Sequence, residues 1–164
     1  MNTGKGEGQL QVALGCDHAG LELKETVKGF LERQDVSLVD VGTWSHESCH
    51  YPEFAEMVAR WTASGEDRLG ILVCGTGVGM SIVANKVRGV RAAVCQEPYT
   101  AAKAREHNDA NVLCLGARVL GPGLALSVVE AFLTATFSGG RHAVRLDLID
   151  RMERSCASPD GSER

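Results

Sequence analysis

The stretch LGILVCGTGVG, residues 69–79, decides the fold. Leu69 to Cys74 is a nearly unbroken apolar run, the pattern of a strand covered on both faces rather than of one that meets water. Gly75, Gly77 and Gly79 follow at once and permit a tight turn, and the segment from Met80 to Lys86 then reads as a helix. A buried strand, a glycine-rich turn and a helix together form the start of a parallel crossover unit.

The pattern repeats in both directions. Toward the N-terminus, Leu10 to Gly15 is a short strand-like run, and Leu23, Val27, Phe30 and Leu31 share one face of a helix that begins after Gly20. Val36 to Val41 is a second strand, stopped by Gly42. A polar loop from Thr43 to His50 leads to Pro52, which opens a helix with Phe54, Val58 and Trp61 on one stripe. Toward the C-terminus, Val90 to Cys95 and Asn111 to Gly116 read as strands. Helices run from Pro98 to near His107, from Leu124 to Phe137, and from His142 to Glu153. Strand and helix alternate five times with no hairpin signal. The expected fold is a single Rossmann-like three-layer α/β/α sandwich with a five-stranded parallel sheet and a C-terminal helix. One domain is expected over residues 10–154, between a disordered polar tail at 1–9 and a polar tail at 155–164.

A length of 164 residues with 44% hydrophobic and 23% charged side chains suits one core. The net charge of −4 argues against nucleic acid or a membrane surface as partner, so an anionic ligand needs a local basic patch. No apolar run reaches the roughly 20 residues that span a bilayer. Met1 to Gln9 is polar and unlike a signal peptide, and the expected location is the cytoplasm. The six cysteines show no C-x-x-C pair and are expected to be free thiols. His46, Glu47, Cys49 and His50 fit no standard metal spacing and read as loop residues. Neither a metal nor a cofactor is expected.

In such folds ligands bind beyond the carboxyl ends of the strands. The first strand delivers Cys16-Asp17-His18 there, the third Cys74 to Gly79, and His107-Asn108-Asp109 lies just past a helix end; these groups are expected at one rim of the sheet. The glycine-rich turn before a helix favours an anion, and the same field lowers the pKa of a thiol at Cys74. The competing reading is a plain turn with a core cysteine. A dinucleotide fingerprint would follow the first strand, and here Met80 occupies the place of its last glycine. Asp17 also reads as a helix cap, and His107-Asn108 as a C-cap. Arg141 and Arg145, at i and i+4, either face a phosphate together or form a solvated basic face, and Arg118 is a third cation.

The stretches GCDHAG (15–20), VGTWS (41–45), YPEFA (51–55), CGTGVGMSIVANKVRGVRAAVC (74–95), HNDANVL (107–113) and GGRHAVR (139–145) resemble, in order, the type B ribose-5-phosphate isomerases, grouped with allose- and galactose-6-phosphate isomerases. The resemblance covers about residues 10 to 150. It implies a homodimer or dimer of dimers with active sites shared between subunits. It also implies metal-free interconversion of D-ribose 5-phosphate and D-ribulose 5-phosphate, a pentose phosphate pathway reaction. By this resemblance Cys74 is the base that moves a proton between C1 and C2. Thr76 assists at the substrate oxygens, and Gly75, Thr76, Gly77, Val78 and Gly79 form an amide pocket for the enediolate. Some relatives carry a carboxylate further along this loop, where this chain has Val78-Gly79-Met80. Asp17 and His107 correspond to the pair that opens the furanose ring, and Asn108 to a substrate-binding amide. His18, Arg118, Arg141 and Arg145 correspond to sugar and phosphate contacts, and some of the set around His107 is implied to reach in from a partner chain. The alternatives are an isomerase of allose 6-phosphate or a four-carbon ketose phosphate, a non-catalytic sugar-phosphate-binding domain, or a nucleotide-binding module.

Overall fold

The computed structural model describes residues 9–157. In chain order the elements are β1 (Leu10–Cys16), α1 (Leu21–Leu31), β2 (Val36–Asp40), α2 (Tyr51–Ala63), β3 (Arg68–Cys74), α3 (Val78–Ala84), β4 (Ala92–Val94), α4 (Pro98–Asn108), β5 (Val112–Gly116), α5 (Pro122–Thr134) and α6 (Arg141–Ala157). The strands form one parallel sheet in the order β2-β1-β3-β5-β4. β3, the most apolar strand, lies at its centre, with Ile71 opposite Leu14 of β1 and Leu72 opposite Cys114 of β5.

Alternate residues of β3 feed two separate cores. Leu69, Ile71 and Val73 pack with Val27 and Leu31 of α1 and Val128, Val129 and Phe132 of α5. Leu72 and Cys74 point the other way, into Ala55, Val58 and Ala59 of α2 and Met80 and Ala84 of α3. This two-sided burial is what the continuous apolar run requires, and it makes the three layers. It also sends the Cys74 side chain toward the α2–α3 layer.

Several boundaries differ from the sequence reading. β4 is three residues long because Val90 N–H turns back to Val87 C=O, and Arg91 N–H is taken by the Asn111 side chain. α5 stops at Thr134 rather than Phe137: Ala135 is extended, and Ser138 N–H reaches across to Glu106 C=O. α6 continues past 154 to Ala157, where a polar tail was expected, and Glu153 of this helix accepts from Gly89 N–H and docks it beside β4. The remainder of that tail, and the tail expected before Gln9, lie outside the described residues. No helix among the described residues is long and apolar enough to cross a membrane. All six cysteines are free, as expected.

One buried charge fixes the loop after β2. Lys24 of α1 is fully buried, and its ammonium donates to both oxygens of Asp40 at 3.1 Å and to Thr43 C=O at 3.0 Å. Thr43 N–H returns to Cys16 C=O at the end of β1. The polar 43–50 loop is thereby anchored against the strand that carries Asp17 and His18.

Candidate active site

Cys74 is the last residue of β3 and is 5% exposed. Its sulfur accepts the Gly77 N–H at 3.1 Å. Gly77 can present that amide because it takes φ +80°, and a Cβ there would stand 3.1 Å from the Leu115 backbone. Only glycine fits both conditions. Thr76 is exposed, and its hydroxyl accepts Val78 N–H at 3.3 Å. Two amides of the expected pocket are thus committed within the loop: Gly77 to the sulfur and Val78 to Thr76.

The other buried thiols differ in kind. Burial pushes the Cys16 thiol up to about 12 and that of Cys95 up to about 11, and it also raises Cys114. Cys16 donates to Thr43 C=O at 3.7 Å, which favours the protonated form. Cys74 differs in its contact: its sulfur accepts the Gly77 N–H rather than donating to a carbonyl.

Arg118 follows β5 on the same rim. Its N–H donates to Gly75 C=O at 3.0 Å, and its side chain lies 3.5 Å from where a Gly75 Cβ would stand. Asp17 is 7% exposed and neighbours β3 through its N–H to Val73 C=O. One of its carboxylate oxygens, Oδ1, accepts Ala19 and Gly20 N–H at 3.0 Å each and so holds the turn before α1, whose N-cap is Gly20 with no side-chain cap; Asp17 is not the helix cap it was expected to be. His18 Nδ1 accepts the Cys49 N–H at 3.2 Å. An acceptor at Nδ1 places the proton of the neutral ring on Nε2. His18 and Arg118 line a cleft of about 480 Å³ with Glu22 and His46, and Cys74 is not among its walls.

The remaining residues stand elsewhere, which corrects the expectation of a single rim. His107 and Asn108 close α4, and only residues 109–111 separate them from Val112, the first residue of β5. Gly116, at the other end of β5, is the residue opposite Cys74. Four strand steps, about 13 Å, therefore lie between the two groups. Helices of a parallel sandwich run back against the strands, so the end of α4 returns to the amino-terminal rim. The cap itself falls at Asp109 (φ +43°), which also pairs with Arg91 and Arg105 at 2.8 and 2.9 Å. Beside this end stands α6. Arg141 and Arg145 lie exposed on it, and His142 is stacked on His107 with ring centroids 4.2 Å apart and planes 5° from parallel. The structure thus brings Asp17, His18, Cys74 to Gly79 and Arg118 to one rim. His107, Asn108, Arg141 and Arg145 lie at the other.

Three residues escaped the sequence reading. Tyr51 opens α2, and its ring lies 2.8 Å from where a Gly79 Cβ would be, so Gly79 is what admits the ring over the loop. Cys49 orients His18 through its backbone. His142 meets His107 through a contact no spacing announces. Among the described residues no group of three or more His, Cys, Asp or Glu side chains could hold a metal ion.

A thiol held by a backbone amide at the carboxyl end of a central parallel strand, with an arginine and a histidine on the same rim, is the frame of an enzyme for a small anionic metabolite. The family described as Ribose/Galactose Isomerase matches residues 12–149. Ribose-5-phosphate isomerase B of Escherichia coli (strain K12) is 49% identical over 144 residues, covering 88% of this chain and 97% of that protein. The structure of Clostridium thermocellum ribose-5-phosphate isomerase B superposes with a TM-score of 0.87 at 48% identity, over 90% of this chain and 99% of that one. The ribose-5-phosphate isomerase B of Mycoplasma genitalium, solved with bound ribulose 5-phosphate, gives 0.84 at 42% identity, over 88% and 96%. The chain belongs to the ribose/galactose isomerase family.

Proposed function

We propose that the protein interconverts D-ribose 5-phosphate and D-ribulose 5-phosphate, with Cys74 as the base. In the aldose-to-ketose direction the furanose first opens: a base takes the proton of the anomeric hydroxyl, an acid protonates the ring oxygen, and the C1–O4 bond breaks as C1=O1 forms. Asp17 and His107 are the residues for this step. The Cys74 thiolate then removes the C2 proton, and the electron pair moves to O1 to give an enediolate. The O2 hydroxyl proton passes to O1, and return of the carbon-bound proton from Cys74 to C1 as C2=O2 forms completes the ketose.

The observation that carries this reading is the Gly77 N–H on the Cys74 sulfur, because proton abstraction needs a thiolate. Loop amides other than those of Gly77 and Val78, with the Thr76 hydroxyl, are the donors for the enediolate, each such donor contributing roughly 3 kcal/mol to the transition state. Asn108 and His18 bind the sugar, and Arg118, Arg141 and Arg145 bind the phosphate. Binding energy at that unreacting end orients C1 and C2.

Because His107 and Cys74 face opposite rims of one sheet, a complete site takes two protomers. The active unit in this reading is a cytoplasmic homodimer in which the amino-terminal rim of each protomer meets the carboxyl-terminal rim of the other. Exposed apolar residues on α3 (Val78, Ile82) and α6 (Val144, Leu148, Met152) support it by offering a face for a second copy. The test is complementation. Cys74→Ala and His107→Ala chains, each inactive alone, are unfolded together and refolded; random pairing of dimers returns about a quarter of wild-type activity, since half the dimers carry one intact site. No recovery in verified mixed dimers would refute the shared site.

A further inference from the structure

We propose that His142 is a positioning residue for ring opening: its imidazole, stacked flat on His107, fixes the plane in which His107 exchanges its proton with the sugar. The inference rests on the assignment of His107 to that step.

The stack is built from both sides. The chain between α5 and α6 is pinned by Ser138 N–H to the carbonyl of Glu106, the residue next to His107. Gly139 and Gly140 then take φ +61° and +56°, and His142 N–H closes back on Gly139 C=O at 3.1 Å. This turn places the His142 ring over His107, where only 8% of the residue remains exposed. A centroid separation of 4.2 Å with planes 5° apart is face-to-face contact. Imidazole N–H vectors lie in the ring plane, so holding the plane holds the direction of proton delivery.

The charge pattern fits this task. Burial, then His107, then Arg141 and Arg145 hold the His142 imidazole below its ordinary value. A neutral His142 offers a π face to His107 and adds no second cation beneath it when His107 is protonated. Lys103 and Glu106, the charged neighbours on α4, pair with each other rather than with His142.

Two measurements separate the proposed role from general damage. The first is turnover of D-ribose 5-phosphate, which is ring-closed in solution. The second is wash-in of solvent deuterium at C1 of D-ribulose 5-phosphate, an open-chain ketose that needs proton transfer at carbon but no ring opening. His142→Ala should lower the first about 10- to 100-fold, the scale of a small misalignment of reacting groups, and leave the second within a few-fold of wild type. His142→Phe, which keeps a flat ring, should restore most of the first. Equal loss of both rates in His142→Ala, or no rescue by His142→Phe, overturns the proposal. His107→Ala is the control: if it still turns over ribose 5-phosphate, the assignment of His107 fails and the inference falls with it. If His107→Ala loses that turnover and His142→Ala does not, the inference alone fails.

Discussion

The sulfur of Cys74 and the amide of Gly77 stand 3.1 Å apart, closed into a ring by the two residues between them. The contact gives a sulfur on a core-facing position a hydrogen-bond donor from its own loop. It depends on a left-handed backbone at Gly77 that no other residue adopts cheaply.

Gly77→Ala therefore tests geometry and chemistry at once. A Cβ at φ +80° is strained and also meets the backbone of β5. We expect a loss of about 1–3 kcal/mol in unfolding free energy, read by urea denaturation, and a fall in kcat larger than any change in KM. A variant with wild-type kcat would separate the amide from catalysis.

Gly79→Ala tests the packing of Tyr51 on the loop. The added methyl would sit 2.8 Å from the tyrosine ring, which must move. kcat/KM for ribose 5-phosphate should fall about tenfold or more, with part of the loss recovered when Tyr51→Ala is added, as steady-state kinetics of the single and double variants would show.

The arginines of α6 are assigned to the phosphate. Arg141→Ala and Arg145→Ala should each raise KM for phosphorylated sugar, by about 10-fold or more for a charge-assisted contact worth 1.5–3 kcal/mol, with a smaller change in kcat. The Lys24–Asp40 pair should remain intact and Tm unchanged. Affinity unchanged in both variants would remove them from the site.

Asp40 sets a limit on acid stability. Burial works against its charge, but the Gly42 N–H, Lys28 and Lys24 outweigh that and hold its carboxyl below the usual range. A group whose native value is lowered stabilises the fold above the ordinary carboxylate range, and that contribution is lost as pH falls toward the native value. Asp40→Asn should flatten this part of the stability–pH curve. It should also cost about 1–3 kcal/mol near neutrality, because the fully buried Lys24 exchanges one charged partner for a neutral amide and keeps only the half-exposed Glu25. Chemical denaturation between pH 3 and 7 measures both.

Much of this architecture was legible in the residues. The apolar run of β3 and the three glycines after it fixed a parallel, doubly covered sheet, since no other element buries that pattern on both faces. Asp17, His18 and Arg118 followed directly from strand ends. His107 did not: its place beyond a helix reads locally like the others, and only the direction of α4 against the sheet sends it to the far rim. The contacts of Tyr51 with Gly79, Cys49 with His18 and His142 with His107 arise from packing between distant elements, to which spacing along the chain is blind. The true ends of α5 and α6 were set by Ser138 and Glu153, each bonded to a different part of the fold.

The central claim is that the Cys74 thiolate moves the proton, and exchange at carbon measures it most directly. In D₂O, wild-type protein should introduce deuterium at C1 of D-ribulose 5-phosphate. Cys74→Ala should lose this exchange by about 10²–10⁴-fold, the worth of a positioned base, while still binding the ketose phosphate in calorimetry. Exchange at the wild-type rate in a folded, ligand-binding Cys74→Ala protein would contradict the account.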